Sequence, residues 1–422
     1  MRKKSVFHFM LAIFRRGRTP VRPAHLSILR DAQGRVPYGT NKFPVNKNCY
    51  NLKHAEKSEV SVFMSTYALL KNPSYTRVSF QDSNKLAQNE LALMGSSFSN
   101  FSNIRYENES IGGVPFLLFD YSGTLTDEDI VLLSRLSFVY AIFKVEKTYL
   151  LPIHKNPAYF MGEDLSGILK YSGKTNELFT RLMLNLAIKH VSQSHPLNIL
   201  DPLAGKGTTL FEALMQNHNA YGIEIDSKTT QESYTYLKKY LETARYKHTT
   251  HTEKTSFQAE QQKQKITAIR YQIGLSPSKK AEKEGNIRHF EILAGDTRFV
   301  ANYFKKNFFH VIIADLPYGV QHGSKVVRKE GNKEGSKELC KKPQSITRNA
   351  LGLASESLPG WIKTLKTGGV IALAWNLFLI SRSEMVELLS KHGLTVLENI
   401  QEYDFSHRVD QAIDRDIIIA RL

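Results

Sequence analysis

The sequence has 422 residues, of which 41% are hydrophobic and 23% are charged. Such a chain can bury a sizeable core, and its length exceeds what one core usually organises, so we expect two domains with connecting segments. The two cysteines, Cys49 and Cys340, have no CxxC or Cys/His spacing around them, which argues against a disulfide framework and against a metal site.

The formal net charge of +17 is concentrated in three segments. Residues 1–58 hold thirteen Lys/Arg against two acids, residues 241–285 hold nine against five, and residues 321–345 hold seven against three. Basic segments favour phosphate backbones, because bound Lys and Arg release counterions from nucleic acid. The rest of the chain is close to neutral, so the charge predicts nucleic-acid contacts only for a leader and two insertions.

Residues 1–58 form a basic leader without a clear hydrophobic period. The apolar run Val6–Phe14 is followed at once by Arg15–Arg18 and by no small-residue cleavage site, so it is not typical of a secretion signal. No apolar stretch approaches the roughly 20 residues of a membrane helix. We therefore expect a cytoplasmic protein without membrane contact, whose leader is either disordered or an RNA-binding arm.

Residues 60–155 mix short strands and helices, which predicts a small α/β domain. The predicted strands are 61–70, 116–121, 139–145 and 148–151, and the predicted helices are 84–94 and 127–136.

Residues 160–422 alternate apolar strands with helices, which is typical of a parallel sheet with helical crossovers. The predicted fold is therefore a Rossmann-like, doubly wound α/β sheet preceded by the smaller N-terminal α/β domain. Within it, the insertion 241–285 is expected to be helical at its start and loose beyond Gly274. The predicted strands are 197–200, 220–225, 290–293, 311–314, 370–375 and 417–421, and the main helices are 176–189, 208–216, 350–365 and 383–392.

A glycine-rich turn follows the first strand of this domain, in the run Asp201–Thr209. Gly205 and Gly207 let the backbone turn sharply and approach a ligand closely, as adenosyl cofactors require. A P-loop is excluded because Gly207 follows Lys206 where Ser or Thr is needed. A dinucleotide fingerprint is excluded because Leu210 stands at the third glycine position.

Carboxylates follow the next two strands. Glu224 and Asp226 lie about 20 residues beyond the glycine turn, where Rossmann-type sites bind a ribose diol. One of them is expected to bind the ribose, although Asp226 is also a favoured residue for capping the next helix. Asp296, after the third strand, is suited to accept a hydrogen bond from an adenine amino group.

The apolar strand 311–314 leads into Asp315-Leu316-Pro317-Tyr318-Gly319. Methylation of an exocyclic amine requires two acceptors that hold the nitrogen in line with the methyl donor. The Asp315 carboxylate and the Leu316 carbonyl fit this role. Pro317 stiffens the turn, and Tyr318 offers a face for stacking on an extruded base.

Three motifs together resemble a known family. Asp201–Thr208, Asp315–Gly319 and the run Tyr171–Thr175 before a helix are similar to the THUMP-associated tRNA guanine-N2 methyltransferases and their bacterial relatives. The likeness covers residues 160–422 well and residues 60–155 loosely.

The resemblance implies a class I methyltransferase fold, S-adenosylmethionine as cofactor, tRNA as substrate and a THUMP-like role in RNA binding for residues 60–155. It also implies a catalytic role for Asp315, with Pro317 and Tyr318 in the same motif. The implied cofactor-binding residues are Asp201, Gly205, Gly207, Thr208, Glu224, Asp226, Asp296, Ser172 and Thr175.

Two other functions stay open. One is methylation of adenine N6 or another amine in DNA or ribosomal RNA, although DNA adenine methyltransferases usually have a second proline or Asn-Pro-Pro where Leu316 stands. The other is an RNA-binding protein that retains the fold without activity. The basic insertion 321–345 is either a phosphate-binding loop beside the base or a disordered surface loop.

Overall fold

The computed structural model describes residues 64–72, 77–100, 106–168, 175–192, 196–259, 264–319, 349–397 and 402–422. The leader, both cysteines, Ser172 and the basic insertion 321–345 lie outside the described residues. Val60–Leu422 form one compact unit that contains two β-sheets. No helix in the described ranges is long and apolar enough to cross a bilayer.

The first sheet belongs to the small N-terminal region. Its elements are β1 (Met64–Lys71), α1 (Arg77–Gly95), β2 (Tyr106–Ile111), β3 (Val114–Ser122), α2 (Asp127–Arg135), β4 (Val139–Glu146) and β5 (Tyr149–Ile153). The strands are antiparallel in the order β2-β3-β1-β4-β5. This is the ferredoxin-like βαββαβ arrangement with one added strand. Strand β2 was not predicted, since its polar sequence has no apolar alternation.

The second sheet begins after two helices, α3 (Leu165–Ile168) and α4 (Glu177–Lys189). Its first half contains β6 (Asn198–Asp201), α5 (Thr208–Met215), β7 (Asn219–Glu224), α6 (Ser227–Thr243), β8 (Lys247–Ala259), β9 (Gln264–Ser276), α7 (Lys279–Lys283) and β10 (Arg288–Ala294). Its second half contains α8 (Val300–Tyr303), β11 (Phe309–Asp315), α9 (Ala350–Thr364), β12 (Leu365–Asn376), α10 (Arg382–Lys391), β13 (Thr395–Val396), β14 (His407–Arg408) and β15 (Asp414–Arg421).

The large sheet has the strand order β8-β9-β10-β7-β6-β11-β12-β15-β13, with β14 paired to β15. Strands β10, β7, β6, β11 and β12 are parallel, and β15 is antiparallel to β12. The predicted doubly wound α/β fold is confirmed. Successive strands are added on one side of β6 and then, from β11, on the other, so β6 and β11 flank the topological switch point, where open α/β sheets bind ligands.

The prediction for residues 241–285 was wrong. Instead of a helical start and a loose end, most of this segment forms the antiparallel pair β8 and β9, which extends the sheet beyond β10. Gly274 lies inside β9, and the short helix α7 follows it. Strand β8 has exposed polar residues such as Thr249 and Thr252, and neither of its faces has an apolar period, so its sequence gives no strand signal.

A buried polar cluster joins the two sheets. Glu90 of α1 is fully buried and accepts hydrogen bonds from the Ser137 backbone N–H (3.0 Å) and from Asn185 Nδ2 of α4 (2.8 Å). Asn185 Oδ1 accepts in turn from Gln216 Nε2 (3.2 Å). Burial raises the pKa of Glu90 above its ordinary value. Glu90 and Ser137 belong to the N-terminal region, whereas Asn185 and Gln216 belong to the helices of the large sheet, so specific hydrogen bonds hold the two regions together.

Candidate active site

Three carboxylates end three neighbouring strands of the large sheet. Asp201 is the last residue of β6, Glu224 of β7 and Asp315 of β11. Strand β6 pairs in parallel with both β7 and β11, so all three side chains start from the same edge of the sheet. Adjacent parallel strands thus bring together residues that are far apart in the sequence.

The turn after β6 has the backbone conformation that its glycines allow. Gly205 and Gly207 have φ of 51° and 90°, in the left-handed region that favours glycine. A Cβ added at Gly207 would lie 2.6 Å from Ser233 Oγ, whereas one added at Gly205 would meet no protein atom within 4 Å. Gly207 is therefore needed for packing, and Gly205 leaves open space above the turn. Gly207 is also the N-cap of α5, so its left-handed backbone connects the turn to the helix.

A cavity of about 390 Å³ lies over this turn. Such a volume is within the range of about 300–1,000 Å³ that ligand pockets show. A larger cavity of about 640 Å³ lies against β8–β10 and includes no predicted site residue. The smaller cavity is lined by Thr175, Thr180, Met183, Asp201, Leu203, Ala204, Gly205, Lys206, Thr208, Thr209, Glu224, Thr229, Ile313 and Asp315.

Burial of the carboxylates makes this cavity suited to a positive charge. The pKa of Asp201 is raised to about 7, mainly by burial; the hydrogen bonds from Thr209 and the Leu203 backbone lower it, and the neighbouring carboxylates of Asp315 and Glu224 raise it. Burial likewise raises the pKa of Glu224, whose Oε2 accepts from the Gly205 N–H (3.0 Å). A cationic ligand would favour the ionised form of both groups.

Besides Gly207, which packs against Ser233 of α6, two predicted cofactor residues do not line the cavity. Asp226 is the N-cap of α6 and accepts from the Thr229 backbone N–H (3.3 Å) and hydroxyl (2.6 Å), which lowers its pKa. The Asp226 side chain thus has the position that the helix-capping alternative predicted. Asp296 is bonded to Arg298, with Oδ2 to Nη2 at 2.6 Å. Their cofactor roles stay predictions.

The catalytic motif forms a tight turn held from several sides. The Leu316 N–H donates to the Ala374 carbonyl of β12 (2.8 Å), which fixes the start of the turn. Asp315 Oδ2 accepts from the Thr175 hydroxyl (3.1 Å), and Oδ1 accepts from the Tyr318 hydroxyl. Both carboxylate oxygens are therefore oriented by hydroxyl donors. Pro317 lies at the partly exposed tip of the turn.

Tyr318 is partly exposed, and protein groups contact both its hydroxyl and its ring. Burial and the charge of Asp315 raise its pKa well above the ordinary value. The guanidinium of Arg415 lies 4.9 Å from the centre of the Tyr318 ring and 4.0 Å from the centre of the Phe179 ring. In this arrangement Tyr318 orients Asp315, and stacking of its ring on a base stays a prediction.

Two buried residues outside the predicted set of site residues support this turn. Asn376, which ends β12, is 2% exposed and donates to the Ala412 carbonyl (2.9 Å) and the Tyr318 carbonyl (3.5 Å). Arg415 is 6% exposed, although Arg is seldom buried unless it is paired. A polar residue after the apolar run 370–375 was a usable signal for Asn376. No signal marks Arg415, since its stacking partners are distant in the sequence.

The cavity fits S-adenosylmethionine in volume and in chemistry. The open space over Gly205 would allow a close ligand, Glu224 offers carboxylate oxygens to a diol, and Asp201 and Asp315 offer negative charge to a sulfonium. No group of three or more His, Cys, Asp or Glu side chains among the described residues could hold a metal ion.

The fold defines a class. The order β10-β7-β6-β11-β12-β15-β13, with β15 antiparallel to both neighbours and a glycine turn after β6, is the class I methyltransferase fold. No protein-family model and no curated protein matches the sequence.

Solved structures with which the chain shares similarity include methyltransferases. TrmN from Thermus thermophilus is 14% identical with a TM-score of 0.33, over 75% of this chain and 59% of that chain. A TehB-like SAM-dependent methyltransferase from Corynebacterium glutamicum is 10% identical with a TM-score of 0.28, over 54% and 82%. The ribosomal protein L11 methylase from Lactobacillus delbrueckii subsp. bulgaricus is 10% identical with a TM-score of 0.30, over 58% and 79%. This chain thus spans less than two thirds of the TrmN chain, and the fold assignment rests on the strand order itself.

Proposed function

We propose that this protein is an S-adenosylmethionine-dependent methyltransferase that acts on an exocyclic amine of a base in RNA, with guanine N2 of tRNA as the expected target. The observation that carries the proposal is the position of Asp315. Its carboxylate lines the same cavity as the glycine turn and Glu224, so an amine bound to Asp315 is adjacent to the cofactor space.

One group of residues would bind the cofactor. Glu224 would accept hydrogen bonds from the ribose hydroxyls, and the turn at Gly205 would contact the cofactor by its backbone. The Asp201 carboxylate would attract the sulfonium of S-adenosylmethionine electrostatically. Thr208 and Thr175 line the same space, and the run that contains Ser172 immediately precedes Thr175.

The chemistry needs little acid or base strength from the protein. When bound, S-adenosylmethionine supplies an electrophilic methyl group. Asp315 accepts a hydrogen bond from the amine, which orients the nitrogen lone pair and gives the departing N–H proton a carboxylate to move to. Thr175 and Tyr318 keep that carboxylate from rotating away.

The RNA preference rests on two features. The first is the family resemblance of the catalytic motif, in which Leu316 stands where DNA adenine enzymes usually carry proline. The second is the ferredoxin-like region, for which the resemblance implies RNA binding. Its helix α1 contacts the segment before β14, where Lys85 pairs with Asp404 (2.9 Å) and Asn89 donates to the Asp404 carbonyl (2.7 Å).

Labelled cofactor offered with tRNA, ribosomal RNA and DNA tests the substrate class. Label in tRNA supports the proposal, whereas label only in DNA or ribosomal RNA favours the amine alternatives. Absence of S-adenosylmethionine binding at high micromolar concentration would refute both methyltransferase functions and favour the RNA-binding alternative.

Cofactor affinity should increase with pH. Because the pKa of Asp201 is raised to about 7, the free cavity holds a protonated carboxyl at pH 6, and a cationic ligand must displace that proton. Loss of one proton predicts about tenfold tighter S-adenosylmethionine binding at pH 8 than at pH 6 by linkage. The raised pKa also predicts that, without ligand, the stability contributed by Asp201 is full below its ordinary value of 3.8 and is lost as the pH rises to about 7.

Calorimetric titration at both pH values measures this dependence. Asp201→Asn, which cannot ionise, is the matched control and should lose most of the difference in affinity between pH 6 and pH 8. Equal affinity of the unmodified protein at both values would show that Asp201 does not respond to the charge of the ligand.

A further inference from the structure

The carboxyl edge of the large sheet has two halves. The cavity described above uses the ends of β6, β7 and β11. The other half, beyond β11, is formed by the residues that follow β12 and by the chain before β15, which reaches this edge because β15 is antiparallel. A substrate that presents an amine to Asp315 must approach across this second half.

Two large apolar residues are exposed on this second half. Phe378 and Leu379, which follow β12, are 54% and 50% exposed. Phe and Leu are among the residues most often buried, so an adjacent exposed pair beside a site is a candidate contact surface for a ligand.

These residues are close to the catalytic turn. The Phe378 N–H donates to Asn376 Oδ1 (3.2 Å), and Asn376 Nδ2 donates to the Tyr318 carbonyl (3.5 Å). A Cβ placed on Gly319 would lie only 2.8 Å from Leu379 Cδ1. The exposed pair is thus the immediate rim of the site at which Asp315 would hold a base.

Arg408 completes the rim. Its guanidinium lies 4.6 Å from the centre of the Phe378 ring, and its Nε and Nη2 donate to the carbonyls of Asp410 (2.9 Å) and Gln411 (3.1 Å). These bonds fix a planar cation against one face of the ring. A base bound to the rim would meet an oriented aromatic face next to a positive charge, the combination with which proteins bind single-stranded nucleic acid.

We propose that Phe378, held by Arg408, is a stacking platform for a nucleotide that flanks the methylated one. The inference rests on the proposed function, since it requires a single-stranded or extruded RNA segment at this edge of the sheet. The platform would hold the strand in place while the target base enters the site at Asp315, and it would contribute to binding without contacting the reacting atoms.

Two substitutions separate stacking from apolar contact. Phe378→Leu keeps an apolar side chain but removes the ring, whereas Phe378→Trp keeps a ring. Loss of one base–aromatic stack should weaken RNA binding about tenfold in Phe378→Leu, while Phe378→Trp should bind like the original protein. Ile287→Ala, which shortens an apolar side chain 36% exposed just before β10, at the opposite edge of the large sheet, is the control and should leave binding unchanged.

Fluorescence anisotropy with labelled single-stranded oligouridylate measures binding without any methyl transfer, and methylation of tRNA measures KM and kcat. A higher KM with unchanged kcat in Phe378→Leu is expected. Equal oligouridylate binding by Phe378→Leu and the original protein would overturn the platform, and so would absence of RNA binding by the original protein. If the original protein binds RNA through Phe378 but methylates none, the proposed activity fails and the platform stands.

Discussion

Replacement of Asp315 by Asn is expected to reduce kcat for methyl transfer by about 10²–10³-fold, the range observed when one transition-state hydrogen-bonding group is removed. The amide keeps the size of the carboxylate, but it presents an N–H₂ group to an amine and cannot accept a proton. Thr175 and Tyr318 would still surround the side chain, so the turn should keep its conformation.

Cofactor binding separates a catalytic role for Asp315 from a structural one. The glycine turn and Glu224 are unchanged in Asp315→Asn, so the affinity for S-adenosylmethionine should change little compared with kcat. Asp127→Asn, an exposed acid in the first turn of α2, is the control and should retain full activity. Loss of cofactor binding in parallel with activity would mean that Asp315 maintains the cavity and does not orient the amine.

Replacement of Arg181 by Met is expected to lower the free energy of unfolding by about 3–5 kcal/mol, the cost of removing one partner of a buried ion pair. Arg181 Nε lies 3.0 Å from Glu212 Oε2, and the two side chains are 8% and 0% exposed. Ser166 also donates to Glu212, but a hydroxyl cannot replace a cation. The substitution therefore leaves a buried carboxylate without its counter-charge.

This ion pair also matters for the site, because Arg181 is on α4, which begins just after Thr175, and Glu212 is on α5, which begins at the glycine turn. Urea unfolding measures the effect. Arg181→Met combined with Glu212→Leu removes both charges and should recover most of the lost stability. A loss below about 1 kcal/mol in the single variant would show that the pair behaves like an exposed salt bridge.

The sequence predicted those parts of the fold that have a strong local signal. Apolar strands such as 311–314 are buried on both faces, and their carboxyl ends carry the polar residues of the site, so Asp201, Glu224 and Asp315 could be placed together in advance. Strand β8 could not be predicted, since its exposed polar residues lack an apolar face, whereas the alternation of Ile269, Tyr271, Ile273 and Leu275 was a usable signal for β9.

Side-chain partners were less predictable than strand positions. The Arg298 side chain that bonds to Asp296 is two residues away, yet nothing in the sequence says that it turns toward this carboxylate. Arg415 reaches Tyr318 only because β15 is antiparallel and begins beside the catalytic turn. The capping role of Asp226 was predictable as an alternative, because Asp before a helix is a strong local signal.

The central claim is that Asp315 directs methylation of an exocyclic base amine in RNA. Mass spectrometry of nucleosides from a deletion strain tests it most directly. We predict that one N2-methylguanosine disappears from tRNA and returns with the original gene but not with Asp315→Asn. An unchanged set of methylated nucleosides in RNA, or a methylated base lost from DNA instead, would contradict the claim.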